Sequence, residues 1–342
     1  MIRHPTTFVV GAGASVDYGF PLGPSLTKQI DEALHFNSHA ATTELMRTAI
    51  SMLQYRPELL LHSVQLFEQA RAMRAALATQ VSIDYFLYSR SDQKHFELLG
   101  KIAIAACLIT AESGSLSLLP RRPGELIDLS LSERSWLARL FKNVLAPGIR
   151  KAEMKTIFDN VSFIVFNYDR CIEHYLTHAL ASHFSVDLST AAAIVSERLR
   201  IVHPYGSLGP LYDAKEAVMF GHYYRPETHE AADGLYAMSQ RLLTFTESQK
   251  ARAAEAKEMM EHAVRLVFLG FGFGDQNMEL LRPSRTNIRE IRGTVKGLSK
   301  SNTREVEQQI YSLTGQTLGP DDLQDCDCSL LITDEQMFLT RR

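Results

Sequence analysis

His203 follows the apolar run Arg200–Val202 in "RIVHPYGSLGPL", and imidazole is the side chain whose ordinary pKa lies closest to neutrality. A base placed there can take a proton from a sugar hydroxyl or from water, while an isolated histidine is more often structural than catalytic. Asn167 and Asp169 follow another apolar run, Val161–Phe166, in "IVFNYDR". An amide directly after apolar residues needs hydrogen-bond partners, and a ligand can supply them. Asp169 has two readings, a ligand contact or a cap for the helix that "RCIEHYLTHAL" predicts.

Two glycine-rich turns extend this pattern. In "FVVGAGASVDYGFP" (Phe8–Pro21), Thr7–Val10 reads as a buried strand, and Gly11 and Gly13 let the chain bend sharply and approach a ligand. Ala14–Asp17 then opens a helix whose first N–H groups and positive dipole end would face a pyrophosphate. In "RLVFLGFGFGDQN" (Arg265–Asn277), Gly270, Gly272 and Gly274 suit a backbone lying flat against a ligand, although a bulged loop explains them as well. Asp275 reads as a ligand contact or as the cap of "QNMELL".

Better-known motifs are excluded by spacing. The dinucleotide fingerprint G-x-G-x-x-G needs glycine where Val16 stands, and no Lys-Ser/Thr pair follows the second glycine as a P-loop requires. The hydrolase elbow G-x-S-x-G fails at Asp17, and Gly206-Ser207-Leu208-Gly209 is out of frame. His174 and His178 lie four apart beside Glu173, but the order is not H-E-x-x-H, so a helix face outweighs a metal site. His222 is a poorer substitute for His203 as a base.

Strand-like runs at Thr7–Val10, Val161–Phe166, Arg200–Val202 and Leu266–Leu269 alternate with helical patterns. Such alternation predicts an α/β fold, a Rossmann-like and mostly parallel sheet with helices on both faces. Ligands of these sheets bind beyond the carboxyl ends of the strands, so the four turns should meet in one crevice. Residues 36–155 read as a large helical insertion into a core of residues 1–35 and 156–342, the whole forming one domain. "LLGKIAIAACLIT" (Leu98–Thr110) is apolar nearly all round and predicts a buried helix, with Ser115–Glu125 as a loop. A second helical block, Ala231–Ala263, carries mixed charges that suit a solvated face or an oligomer contact.

The 342 residues include 45% hydrophobic and 22% charged side chains with a net charge of −3, so no global basic field draws in nucleic acid or an anionic membrane. The four cysteines (Cys107, Cys171, Cys326, Cys328) form no C-x-x-C pair, which argues against a zinc module or a disulfide framework. The first apolar run is too short for a signal peptide, and no segment reaches the roughly 18 apolar residues of a membrane span. A cytoplasmic protein is expected.

Taken together, the four turns resemble the sirtuin superfamily and, within it, the bacterial sirtuin-like domains of anti-phage defence. "GAGAS" with "GFP" at Gly19–Pro21 resembles the sirtuin "GAG-x-S" and "GIP" pair, "NYD" is similar to "QN-x-D", and "HPYGS" to the "HG" turn. "SIDYFL" (Ser82–Leu87) and "GFGFGD" (Gly270–Asp275) resemble the defence branch. The resemblance implies an NAD+ hydrolase that releases nicotinamide and ADP-ribose, depletes NAD+ when activated, and needs no metal. It implies Asn167, Asp169 and His203 as catalytic residues. Gly11, Ala12, Gly13, Ser15 and Pro21 would hold the pyrophosphate side, with Gly206 and Ser207 beside the base. Gly270, Gly272 and Asp275 would line the ADP side, with Ser299 and Asn302 near the adenosine. A homo-oligomer, an activating partner protein or a nucleotide signal is the expected regulator. An NAD-dependent deacylase and a non-catalytic NAD or ADP-ribose sensor are the alternatives. "LGP" at Leu22–Pro24 and the missing zinc module argue against the deacylase.

Overall fold

The computed structural model describes all residues except 57–62, 81, 123, 213–217, 222–227, 245, 246, 248, 249 and 342. His222, one residue of the loop expected at Ser115–Glu125 and four of the helical block expected at Ala231–Ala263 therefore lie outside the described residues.

Thr6–Val10 (β1), Val161–Val165 (β2) and Arg265–Leu269 (β4) are buried along their whole length, a burial that a strand sustains only when both faces of its sheet are covered. Arg200–Val202 (β3), Glu290–Thr294 (β5) and Leu323–Gln324 (β6) complete a six-stranded sheet, parallel at every pairing. Its order is β3-β2-β1-β4-β5-β6. The chain runs outward from β1 to β3, then crosses back to β4 and runs the other way. The reversal falls between β1 and β4, and in such sheets a ligand usually binds beyond the carboxyl ends of the strands at this point. The α/β, Rossmann-like fold expected from the alternating pattern is the fold observed.

Helices α1 (Gly23–Ala33), α2 (Ala41–Leu53), α3 (Ser63–Leu77), α4 (Ile83–Tyr88), α5 (Lys94–Gly114) and α6 (Trp136–Leu140) lie between β1 and β2. α7 (Cys171–Phe184) and α8 (Leu188–Arg198) lead to β3, and α9 (His229–Ser239) and α10 (Lys250–His262) lead to β4. α11 (Asp275–Leu281), α12 (Lys300–Thr314), α13 (Cys328–Asp334) and α14 (Gln336–Thr340) complete the chain.

Alternation of side chains along the strands divides the core in two. Phe8, Val10, Phe163, Val165, Val267 and Leu269 pack with the helices inserted between β1 and β2. Val9, Ile164, Val202, Phe268 and Ile291 pack on the other face with α10, α11 and α12. The inserted helices share one continuous core with the sheet. α1 packs on α2 through α5, and α9 joins α2 and α5 although it comes from the β3–β4 connection. Trp136, fully buried, donates its indole N–H to the Ala14 carbonyl at 2.7 Å and so fastens α6 to the turn after β1. Among the described residues, no helix is long and apolar enough to cross a membrane.

Candidate functional site

The turn after β1 and the turn after β4 press together backbone to backbone. The Gly11 amide donates to the Leu269 carbonyl at 3.0 Å, and the Gly13 amide donates to the Gly270 carbonyl at 3.0 Å. A Cβ on Gly11 would lie 2.5 Å from the Gly270 oxygen, and one on Gly13 would lie 2.7 Å from the Gly270 Cα. Close approach between two protein loops therefore accounts for these glycines. Their amides are committed within the protein, so any ligand at this turn would meet other atoms of it. The segment Ala12–Tyr18 is a 3-10 helix, ended by Gly19 in the left-handed region. Phe273, between the open Gly272 and Gly274, has φ 51°, a strained value for an aromatic residue, and its ring is buried against Phe268 and Phe271.

A directed chain of polar groups crosses from β1 to β2. The Asn167 Nδ2 amide donates to the Gly11 carbonyl and to Ser15 Oγ, both at 2.9 Å. Ser15 Oγ donates in turn to Asp169 Oδ2 at 2.7 Å. Asp169 Oδ1 accepts the Cys171 amide at 3.1 Å, so the capping role read from the sequence and the contact with Ser15 coexist on the two carboxylate oxygens. Asn167, Ser15 and Asp169 are all buried. Asn167 Oδ1 accepts no hydrogen bond among the described residues, which leaves one fixed acceptor at the end of the chain.

His203 joins this network from β3. Its Nδ1 lies 2.9 Å from the Asn167 main-chain oxygen, and its Nε2 lies 3.0 Å from Glu173 Oε1. Both neighbours are acceptors, so the doubly protonated ring satisfies both contacts. Burial works against the charge, but the Glu173 carboxylate and the two hydrogen bonds outweigh it, and the His203 pKa lies above its ordinary value. Burial likewise pushes Glu173 up, while His203 outweighs it and holds that carboxyl below the ordinary range. The ring has no vacant nitrogen here, so the proton-accepting role expected of His203 requires Glu173 to give up Nε2. Glu173 was legible in the sequence only as a neighbour of His174. Its spacing of four from Asp169 at a helix start, one turn on the same face, is the signal that pairs it with the site.

The remaining turns close around this group. Tyr205, two residues beyond His203, donates from its hydroxyl to Asn277 Oδ1 at 2.8 Å, and Phe166 packs its ring against Tyr205 and Phe271. Ends of β1, β2, β3 and β4 thus meet at one edge of the sheet. Arg170 is buried beside them, its Nε 3.0 Å from Glu112 Oε1 and its Nη2 2.6 Å from Glu112 Oε2, and its Nη1 donates to the Gly209 and Val218 carbonyls. That pair ties α5 to the turn after β2.

Other residues expected at the site have local partners. Gly206, at φ 79°, would drive a Cβ into the Arg241 carbonyl, and Ser207 Oγ accepts the Gly209 amide at 3.4 Å. Asp275 is exposed and accepts from Gln309 on α12, outside the polar chain. Ser299 caps α12 through the Asn302 amide at 3.2 Å, so both belong to a helix start after β5. Ala12 and Pro21 are half-buried at the two ends of the turn after β1. A cavity of about 1260 Å³ opens along the β3 edge, lined by Glu173, Ser207, Tyr212, Arg252 and the α8 face, and it meets the polar network through Glu173 rather than through the glycine turns.

His174 and His178 are buried structural residues. His174 lies 2.8 Å from the Leu118 carbonyl and 3.0 Å from the Tyr212 hydroxyl, and His178 Nδ1 accepts the Ile127 amide at 3.3 Å. Among the described residues no group of His, Cys, Asp or Glu is arranged to hold a metal ion.

No family model matches this chain, and no curated protein matches it. Its fold and site define an α/β protein of Rossmann-like strand order with a polar network across the ends of its first three strands.

Proposed function

We propose that the protein binds NAD+ at the carboxyl edge of its sheet and cleaves the nicotinamide–ribosyl bond, giving nicotinamide and ADP-ribose. One observation carries this reading: Asn167, anchored through its amide to Gly11 and Ser15, keeps its Oδ1 unused, while its main-chain oxygen lies 2.9 Å from His203 Nδ1. The nicotinamide of NAD+ is a cationic leaving group that departs neutral, so no acid has to protonate it. What the reaction needs is orientation of the carboxamide, screening of an oxocarbenium-like ribose and one placed water. Asn167 Oδ1 places the water or a ribose hydroxyl. Asp169 retains acceptor capacity for the carboxamide N–H and negative charge for the developing cation. Activation by a partner protein, a nucleotide or self-assembly, and a role in anti-phage defence, belong to the same proposal.

Incubation with NAD+ and quantification of nicotinamide and ADP-ribose test it. Asn167→Ala and His203→Ala should each lower turnover by about 100-fold or more. Intact NAD+ under every activator tried, or full turnover in both variants, overturns the reading.

A sensor that holds NAD+ or ADP-ribose without cleaving it is favoured by two features: the committed amides of Gly11 and Gly13 and the fully engaged His203 ring. Tight NAD+ binding without nicotinamide release would select it.

A further inference from the structure

We propose that Glu173 is the positioning residue of this site, fixing through its bond to Nε2 both the orientation of the His203 ring and the number of protons it carries. The proposal rests on the NAD+ reading for its functional meaning, but its geometry stands alone. Two acceptors grip the ring from opposite ends, the Asn167 carbonyl at 2.9 Å and Glu173 Oε1 at 3.0 Å. Glu173 sits in the first turn of α7, whose start is pinned by the Cys171 amide bonding Asp169. Its second oxygen, Oε2, is buried without a hydrogen-bond donor, so the strongest partner of this carboxylate is His203. The same side chain forms part of the wall of the cavity along β3.

The other charged groups facing the pair leave this assignment intact. Asp169, from the turn after β2, adds to the attraction for a protonated ring. Arg170 is engaged by Glu112, and Arg252 of α10 reaches the His203 main-chain oxygen at 3.5 Å rather than the imidazole. Glu173 therefore acts on the ring through its bond to Nε2. Passing the Nε2 proton to Oε1 leaves a neutral carboxyl and a neutral ring, and once that carboxyl turns away from the ring, the Nε2 lone pair can accept a ligand proton. No other co-reactant enters that step.

Nitrogen-15 NMR of the His203 ring tests this without any turnover. In the wild-type protein the ring should remain mainly doubly protonated at pH 6.5, where an ordinary imidazole is about half titrated. Glu173→Gln should lower the His203 pKa by about one unit or more, and Glu173→Asp should restore part of the difference. The pH profile of nicotinamide release should move with it. A mainly neutral wild-type ring at pH 6.5, or an unchanged titration in Glu173→Gln, overturns the proposal. A shifted titration in a protein that never cleaves NAD+ upholds the positioning role and removes the catalytic reading instead.

Discussion

Nδ1 of His203 stands 2.9 Å from the main-chain oxygen of Asn167, so the end of β3 is fastened to the residue whose side chain also holds the Gly11 carbonyl at the end of β1. Three strands separated by long stretches of sequence are thus registered to one another by polar contacts at their carboxyl ends. A displacement at any one of them is felt at the others, because each group in the chain is both donor and acceptor or is shared by two partners.

Ser15 is the link most open to test. Ser15→Ala removes the donor to Asp169 Oδ2 and one acceptor of Asn167, both buried, at a cost of about 1–3 kcal/mol. Urea unfolding should show a lower midpoint, and NAD+ turnover should fall further than stability alone explains. An unchanged midpoint would mean that water replaces the hydroxyl and that the chain is not a structural unit.

The glycines separate into two classes with opposite expectations. Gly11→Ala forces the β1 and β4 turns apart and should cost about 1–3 kcal/mol in urea unfolding. Gly272 has open space around its Cβ position and no positive φ, so Gly272→Ala should change stability by less than about 0.5 kcal/mol. If Gly272→Ala nevertheless weakens NAD+ binding, measured by calorimetry, that glycine approaches the ligand as the sequence pattern suggested.

β1 to β4 were legible because each is a short apolar run ending in polar or glycine residues, whereas β5 (Glu290–Thr294) and β6 (Leu323–Gln324) are too polar or too short to stand out. The pairings were less legible. "GAGAS" reads as a phosphate turn from its glycines alone, since local sequence carries no sign that Gly270 will fill the same space. Asp275 was named for its place after the β4 run, and Ser299 and Asn302 because the family resemblance implies them near the adenosine; their partners within the chain are Gln309 and a helix start. Glu173 went unpaired with His203 because the two lie 30 residues apart and meet only once β3 docks beside β2.

The Arg170–Glu112 pair makes a prediction about the inserted helices. Both side chains are almost wholly buried, and Glu112→Ala would leave the guanidinium without its carboxylate in a dry setting. The expected loss is about 3–5 kcal/mol, read from denaturant unfolding. Replacing both residues with apolar ones of similar volume should recover much of it. A small loss for Glu112→Ala alone would mean that the Gly209 and Val218 carbonyls suffice for Arg170.

Two sets of histidines give stability opposite pH dependences. His178 Nδ1 accepts the Ile127 amide, which requires a lone pair, and burial lowers its pKa to about 4; burial also holds His174 well below its ordinary value, with His178 adding to it. A depressed pKa means that the unfolded chain binds the proton first. Stability from these residues is therefore complete above about pH 6.5 and is lost as pH falls toward 4, by on the order of 3 kcal/mol for His178. His203 runs the other way, since its raised pKa adds stability that is complete below about pH 6.5 and fades as pH rises through the folded-state value. Urea midpoints measured from pH 8 to pH 4.5 should thus fall on the acid side in the wild type. The fall should flatten in His178→Gln, while His203→Gln should lose more stability at pH 6 than at pH 8. An acid slope unchanged in His178→Gln would place the sensitivity in His174 or the carboxylates instead.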